Sequence, residues 1–126
     1  MPENISLLED LRIIMVDSFG EVTSAELRAS LARVIELHSE TGFDCVLVDS
    51  THDASYPPNF PLFEFGSNLA LGVRHLKIAV ATSPGTHAAV TLVKQIAASR
   101  GLIIELFNSV EEALNFLRRH QGSSET

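Results

Sequence analysis

The chain has 126 residues, with 9 Lys and Arg against 16 Asp and Glu, a formal net charge of −7 and a pI near 5.1. That length suits one domain around one core. An acidic chain is a poor match for a nucleic-acid backbone or an anionic membrane surface, because both demand clustered Lys and Arg. The single Cys45 excludes an intrachain disulfide and sits in an apolar run, where a free cysteine acts as a small hydrophobe.

The start Met-Pro-Glu-Asn-Ile-Ser has no basic, apolar leader pattern, and no stretch approaches the roughly 20 apolar residues of a membrane span, so a cytoplasmic protein with no transmembrane segment is expected. Residues 5–8 and 11–16 are apolar runs on either side of Glu9-Asp10, which predicts a tight antiparallel hairpin with its first strand at an edge. Thr23 and Glu26 are spaced as a capping box for a helix starting at Ser24. Leu27, Leu31, Val34, Ile35 and His38 recur at helical spacing on one face of that helix, and Gly42 is placed to end it in a left-handed cap.

Residues 43–48 form a short apolar run with β-branched members, as expected of a buried parallel strand at the centre of the sheet. A polar stretch then reads as a loop, with Asp49, Ser50, Thr51, His52, Asp53, Ser55 and Tyr56, and is stopped by Pro57-Pro58. Asn59 is a suitable N-cap for a short helix over residues 60–70. Leu62, Phe65 and Leu69 share one stripe of that helix while Phe60 and Phe63 lie on another, more apolar surface than one sheet face covers.

Residues 76–81 predict a further buried strand. Ser83 as N-cap with Pro84 at the first helical position then starts a helix whose Ala89, Leu92, Val93 and Ile96 face inward and which Gly101 ends. Residues 102–107 predict the last strand. Ser109 and Glu112 form a second capping box, ahead of an inward stripe of Val110, Ala113, Leu114 and Leu117. Residues 121–126 are small and polar and read as a disordered tail. Strands alternating with helices in this way give an α/β domain covering residues 1–126, a single mostly parallel sheet built from consecutive βα units with an N-terminal antiparallel hairpin strand.

No catalytic set is evident. Asp49 stands at a strand end, where open α/β sheets bind ligands, and invites comparison with a phospho-accepting receiver domain that has Asp17 and Thr82 nearby. The element order argues against that comparison, because one helix separates the two strands and Asn108 follows the last strand where a receiver has lysine. Asp49 reads instead as a loop-capping group for Thr51 or His52. His52 and Asp53, with His87, do not have the spacing of a metal motif, and no nucleophile elbow or phosphate-binding glycine loop is present. No metal and no cofactor is therefore expected.

Three stretches, in order, resemble the STAS family, the domain of bacterial anti-sigma-factor antagonists. Phe19-Gly20-Glu21-Val22-Thr23 is similar to its glycine turn into the first helix, and Val46-Leu47-Val48-Asp49-Ser50 to its central strand ending in an acidic residue. Phe107-Asn108-Ser109-Val110-Glu111-Glu112-Ala113-Leu114 is similar to its closing strand and capped helix. Where phospho-regulated members carry Asp-Ser-Ser-Gly or Asp-Ser-Thr-Gly, this chain has Tyr56-Pro57-Pro58-Asn59. The resemblance therefore implies the fold without the phosphorylation switch, in an uncharacterised bacterial branch that also resembles the lipid-binding CRAL-TRIO fold.

The expected function is a non-enzymatic binding or regulatory module acting by protein–protein contact, with a carrier of an apolar, lipid-like ligand as the alternative and an enzyme using Asp49 and His52 as a third reading. The expected surface comprises Asp49, Ser50, Thr51, His52, Asp53, Tyr56, Phe60, Phe63, Thr82, Ser83 and His87. A homodimer through Phe60 and Phe63 is the expected assembly.

Overall fold

The computed structural model describes residues 3–21, 24–55, 76–84, 87–99 and 101–124. The helix expected over residues 60–70 lies outside them, as do Tyr56, Phe60 and Phe63. The described elements are β1 (Glu3–Leu8), a 3-10 turn (Glu9–Leu11), β2 (Ile13–Glu21), α1 (Ser24–Thr41), β3 (Cys45–Ser55), β4 (Lys77–Ala81), α2 (His87–Ala98), β5 (Ile104–Phe107) and α3 (Val110–Ser124). The strands form one sheet in the order β1-β2-β3-β4-β5, with β1 antiparallel to β2 and the other pairs parallel. This is the expected architecture, with β3 in the centre.

Strand alternation divides the core in two. Ile14, Val16, Val46, Ile78, Val80 and Ile104 face α1 and α2, meeting Val34, Leu37, Val90, Val93 and Ala97. Ile13, Cys45, Leu47 and Ala79 face α3, meeting Ala113 and Leu117. Both faces of β3 and β4 are covered, which is why these strands read as continuous apolar runs. α1 and α2, which follow β2 and β4, share one face, as right-handed crossovers between strands laid down in a single direction require.

Several local expectations change. The hairpin is not a two-residue turn. Its 3-10 turn hands over to Arg12 in the left-handed region at φ 55, where the Arg12 N–H donates to the Glu9 carbonyl at 3.2 Å. That conformation costs a non-glycine residue about 1–2 kcal/mol. The guanidinium lies over the Phe43 ring, 5.1 Å from its centroid, which offsets part of this cost. Among the described residues of α1, Val34 and Leu37 are buried; Leu37 is additional to the expected stripe, and Leu31 and Ile35 are half-buried. Among the described residues of α2, Val90, Val93, Ile96 and Ala97 are buried and Leu92 is half-buried, with Val90 and Ala97 additional to the expected set; the side chain of Ala89 lies outside the described set. α3 continues to Ser124, through positions read as tail.

The stop signals act as expected. Gly42 has φ +75 and donates its N–H to the His38 carbonyl at 2.9 Å, and Gly101 has φ +98. Ser109 Oγ accepts the Glu112 N–H at 3.2 Å and donates to the Glu112 carboxylate at 3.2 Å. The reciprocal bond thus goes to the cap hydroxyl, not to its backbone N–H.

Candidate functional site

The largest departure from the sequence reading falls at the polar stretch. Residues 49–55 were expected to be a loop, whereas β3 runs on through them to Ser55, still paired with β2 as far as Glu21. β4 stops opposite Asp49, with Ala81 as its register partner. Past Asp49 the parallel ladder between β2 and β3 therefore projects beyond the end of β4. Strand residues there need not be apolar, which explains a polar sequence in extended backbone.

The pairing is not regular. Asp17 is level with Asp49, but the next registered pair is Phe19 with His52, so β3 carries one more residue than β2 between them. Such a bulge reverses the side-chain alternation of the longer strand. Without it, His52 would stand on the opposite face from Asp49. With it, His52 is level with a position two residues past Asp17, and hence on the carboxylates' face.

Asp49 is 7% exposed. Its Oδ1 accepts the Thr51 N–H at 3.0 Å and the Thr51 hydroxyl at 2.6 Å, the local capping role expected from the sequence. Its Oδ2 lies 3.7 Å from His52 Nδ1, on a side chain that is 69% exposed. Thr51 Oγ1 also lies 3.3 Å from His52 Nδ1. Asp17 is half-buried, and one ligand-type atom from each of Asp17, Asp49 and His52 lies within 4.8 Å of the other two. Asp17 was not among the expected site residues. Its signal was the strand register, which sets it beside a residue 32 positions later.

The remaining expected residues divide. Ser50 and Ser18 are both buried, at 2% and 1%. Ser50 alternates with Asp49 and faces the other side of the sheet. Thr82 is buried at 3% at the end of β4. Its N–H donates to the Phe107 carbonyl at 2.9 Å, tying the ends of β4 and β5 together, and its Oγ1 lies 3.1 Å from His87 Nδ1. The Ser83 carbonyl accepts the His87 N–H at 2.9 Å, as an N-cap residue's carbonyl does in the first turn of a helix. The site residues thus form two local groups, Asp17–Asp49–Thr51–His52 and Thr82–Ser83–His87. Among the described residues, His87 does not join the cluster of Asp17, Asp49 and His52. The side chain of Asp53 lies outside the described set.

Each group sets a threonine hydroxyl beside a histidine Nδ1, Thr51 with His52 at 3.3 Å and Thr82 with His87 at 3.1 Å. His38, expected to meet free carbonyls near a helix end, has Nδ1 2.8 Å from the Phe43 carbonyl. No described helix is long and apolar enough to cross a membrane.

No family model and no curated protein matches the sequence. Among solved structures, the chain is similar to an uncharacterised protein of the DUF3478 family from Shewanella loihica, which has a SpoIIAA-like fold. The two share 14% identity with a TM-score of 0.57, over 91% of each chain. At that identity the likeness speaks for architecture. Taken with the hairpin, the consecutive parallel strands and the closing helix, it shows that this chain has the SpoIIAA-like, STAS-type fold.

Proposed function

We propose that the protein is a non-enzymatic regulatory or binding module that works through protein–protein contact, without the phosphoacceptor motif of phospho-regulated STAS domains. The observation that carries this reading is the strand order. Open α/β sheets open a ligand crevice where the strand order reverses, and here β2 to β5 follow one another in a single direction with α1 and α2 on the same face. In the expected Asp49–His52 acid–base pair, Asp49 Oδ1 is engaged by two bonds from Thr51 and His52 is exposed. Neither fact favours an enclosed reaction site.

The contact surface on this reading combines the exposed His52 on the β2–β3 ladder, the exposed His87 and the Phe60–Phe63 segment. A homodimer through Phe60 and Phe63 belongs to the same proposal, since two phenylalanines would contribute about 3–6 kcal/mol per subunit before association entropy is subtracted. Sedimentation velocity at micromolar concentration tests it. The expected result is a dimer for the wild type and a folded monomer for the double variant Phe60→Asp, Phe63→Asp. A wild-type monomer refutes the dimer. Native mass spectrometry of freshly purified protein separates module from carrier: a stoichiometric apolar small molecule would replace the protein-contact reading with that of a ligand carrier.

A further inference from the structure

The Asp17–Asp49–His52 cluster combines two carboxylates and an imidazole on one face at the end of the sheet, drawn from two adjacent strands. Its parts are held unequally. Asp49 is fixed by its two bonds from Thr51, which occupy Oδ1 and leave Oδ2 turned toward His52 Nδ1 at 3.7 Å. A carboxylate anchored through one oxygen, with the other directed at a second donor, is the arrangement in which hydrogen-bonded neighbours orient a metal ligand. Donors bound to one transition ion at about 2.0–2.2 Å stand about 3–4 Å from one another. The His52–Asp49 pair already has that separation. Asp17, whose ligand atom is within 4.8 Å, has at most about 1–2 Å to close to reach that separation, and the exposed His52 ring can follow.

Two further observations point to a cation. Among the described residues, no Lys or Arg pairs with Asp17 or Asp49, and the His52 ring is the nitrogen group that stands beside these two register-matched carboxylates. Furthermore, the extra residue in β3 is what turns His52 onto the carboxylates' face; a regular ladder would leave two oxygens and no nitrogen.

We infer that Asp17 and Asp49, with His52 as the nitrogen donor, form a binding site for a divalent transition-metal ion. The mixed donor set selects the class. Carboxylates alone suit Mg²⁺ or Ca²⁺, whereas an added imidazole favours ions of the Zn²⁺ and Co²⁺ kind. Three protein ligands leave positions for water or for a group from another molecule. The site would join β2 to β3 where the ladder between them leaves the end of β4, with Asp17 still paired to Asn4 of β1 and Asp49 to Ala81 of β4. This inference stands apart from the protein-contact reading, and either can fail without the other.

The test uses the full chain, stripped of metal with EDTA and dialysed, titrated with Zn²⁺ by calorimetry and with Co²⁺ by visible absorption. The expected result is one equivalent per chain, with affinity weakened at least about 10-fold in Asp17→Asn and in His52→Ala, and Mg²⁺ unable to compete at equal concentration. Asp49 is left intact because it also holds Thr51. His52 is exposed, so its removal does not threaten the fold. Nitrogen-15 spectra of the histidine rings add a direct readout, in which Zn²⁺ shifts His52 first among the five histidines. The inference is overturned by sub-stoichiometric binding, by unchanged affinity in both variants, or by Mg²⁺ binding as tightly as Zn²⁺ and indifferent to His52→Ala.

Discussion

Replacing Asp49 separates its two roles, hydrogen-bond acceptor and charge. In Asp49→Ala the Thr51 N–H and hydroxyl lose the oxygen they reach at 3.0 and 2.6 Å. A hydrogen bond to a charged group contributes about 1.5–3 kcal/mol. Thr51 is half-buried, so water recovers part of the loss, and about 2–3 kcal/mol for the pair is reasonable. The same substitution removes a negative charge next to Asp17. At 4.8 Å, the outer limit of their separation, two unit charges interact by about 0.9 kcal/mol at a water-like dielectric constant and about 3.5 kcal/mol at an effective value of 20. Asp17 is partly exposed and His52 stands close by, so the lower figure applies and the relief is about 1 kcal/mol. The net expectation for Asp49→Ala is a loss of about 1–2 kcal/mol. Asp49→Asn keeps an acceptor oxygen toward Thr51 and gains the same relief, so it should lie within about 1 kcal/mol of wild type. Urea unfolding in EDTA, which removes any bound metal from the comparison, measures both. Equal losses in the two variants would show that charge, not acceptance from Thr51, is what Asp49 supplies; no loss in either would show that the Thr51 bonds contribute nothing net.

Three further substitutions probe the frame around the site. Ser109→Ala removes the acceptor for the Glu112 N–H at the start of α3 and should cost about 1 kcal/mol, read as a lower urea midpoint with an unchanged slope. Gly42→Ala places a Cβ in open space, since nothing lies within 4 Å of it, so a loss of about 1 kcal/mol would come from the φ of +75 alone. Leu117→Ala empties a fully buried position where α3 meets the sheet and should cost about 2–5 kcal/mol, measured by calorimetric melting; a loss under about 1 kcal/mol would contradict the packing of α3 on β3 and β4.

The frame was legible because its signals are local. Gly42 and Gly101 ended their helices, the Ser109–Glu112 pair started α3, and the apolar runs marked the strands, since each depends on residues a few positions apart. The helix faces were read less completely. Leu37 and Val90 each lie three residues before or after a correctly chosen inward position, and which of the neighbouring rows points deepest depends on how the helix sits on the sheet. The site was hardest to read. Asp49 and His52 were visible as polar residues after an apolar run. Asp17 enters the sequence reading near Asp49 only through the receiver comparison; that the backbone stays extended under Asp49 and His52 depends on pairing between strands separated by a whole helix.

The bulge explains why polarity was a misleading guide to structure at this point. A regular strand would have alternated Asp49, Thr51 and Asp53 on one face with Ser50 and His52 on the other. Such a ladder would have put an imidazole beside the buried Ser50 and above the apolar layer of Val46 and Val48. Adding one residue to β3 moves His52 to the acidic face and leaves Ser50, which is small, to close the apolar layer. The Thr51 N–H is satisfied by the Asp49 carboxylate at the position where the ladder is out of step. Asp49 is thus both the residue that stabilises the irregularity and the one that the irregularity supplies with a nitrogen neighbour. Structure and chemistry are coupled through the same carboxylate, one oxygen serving each. For that reason a substitution at Asp17 or His52 changes what the site can bind while leaving the strand in place, whereas a substitution at Asp49 acts on both.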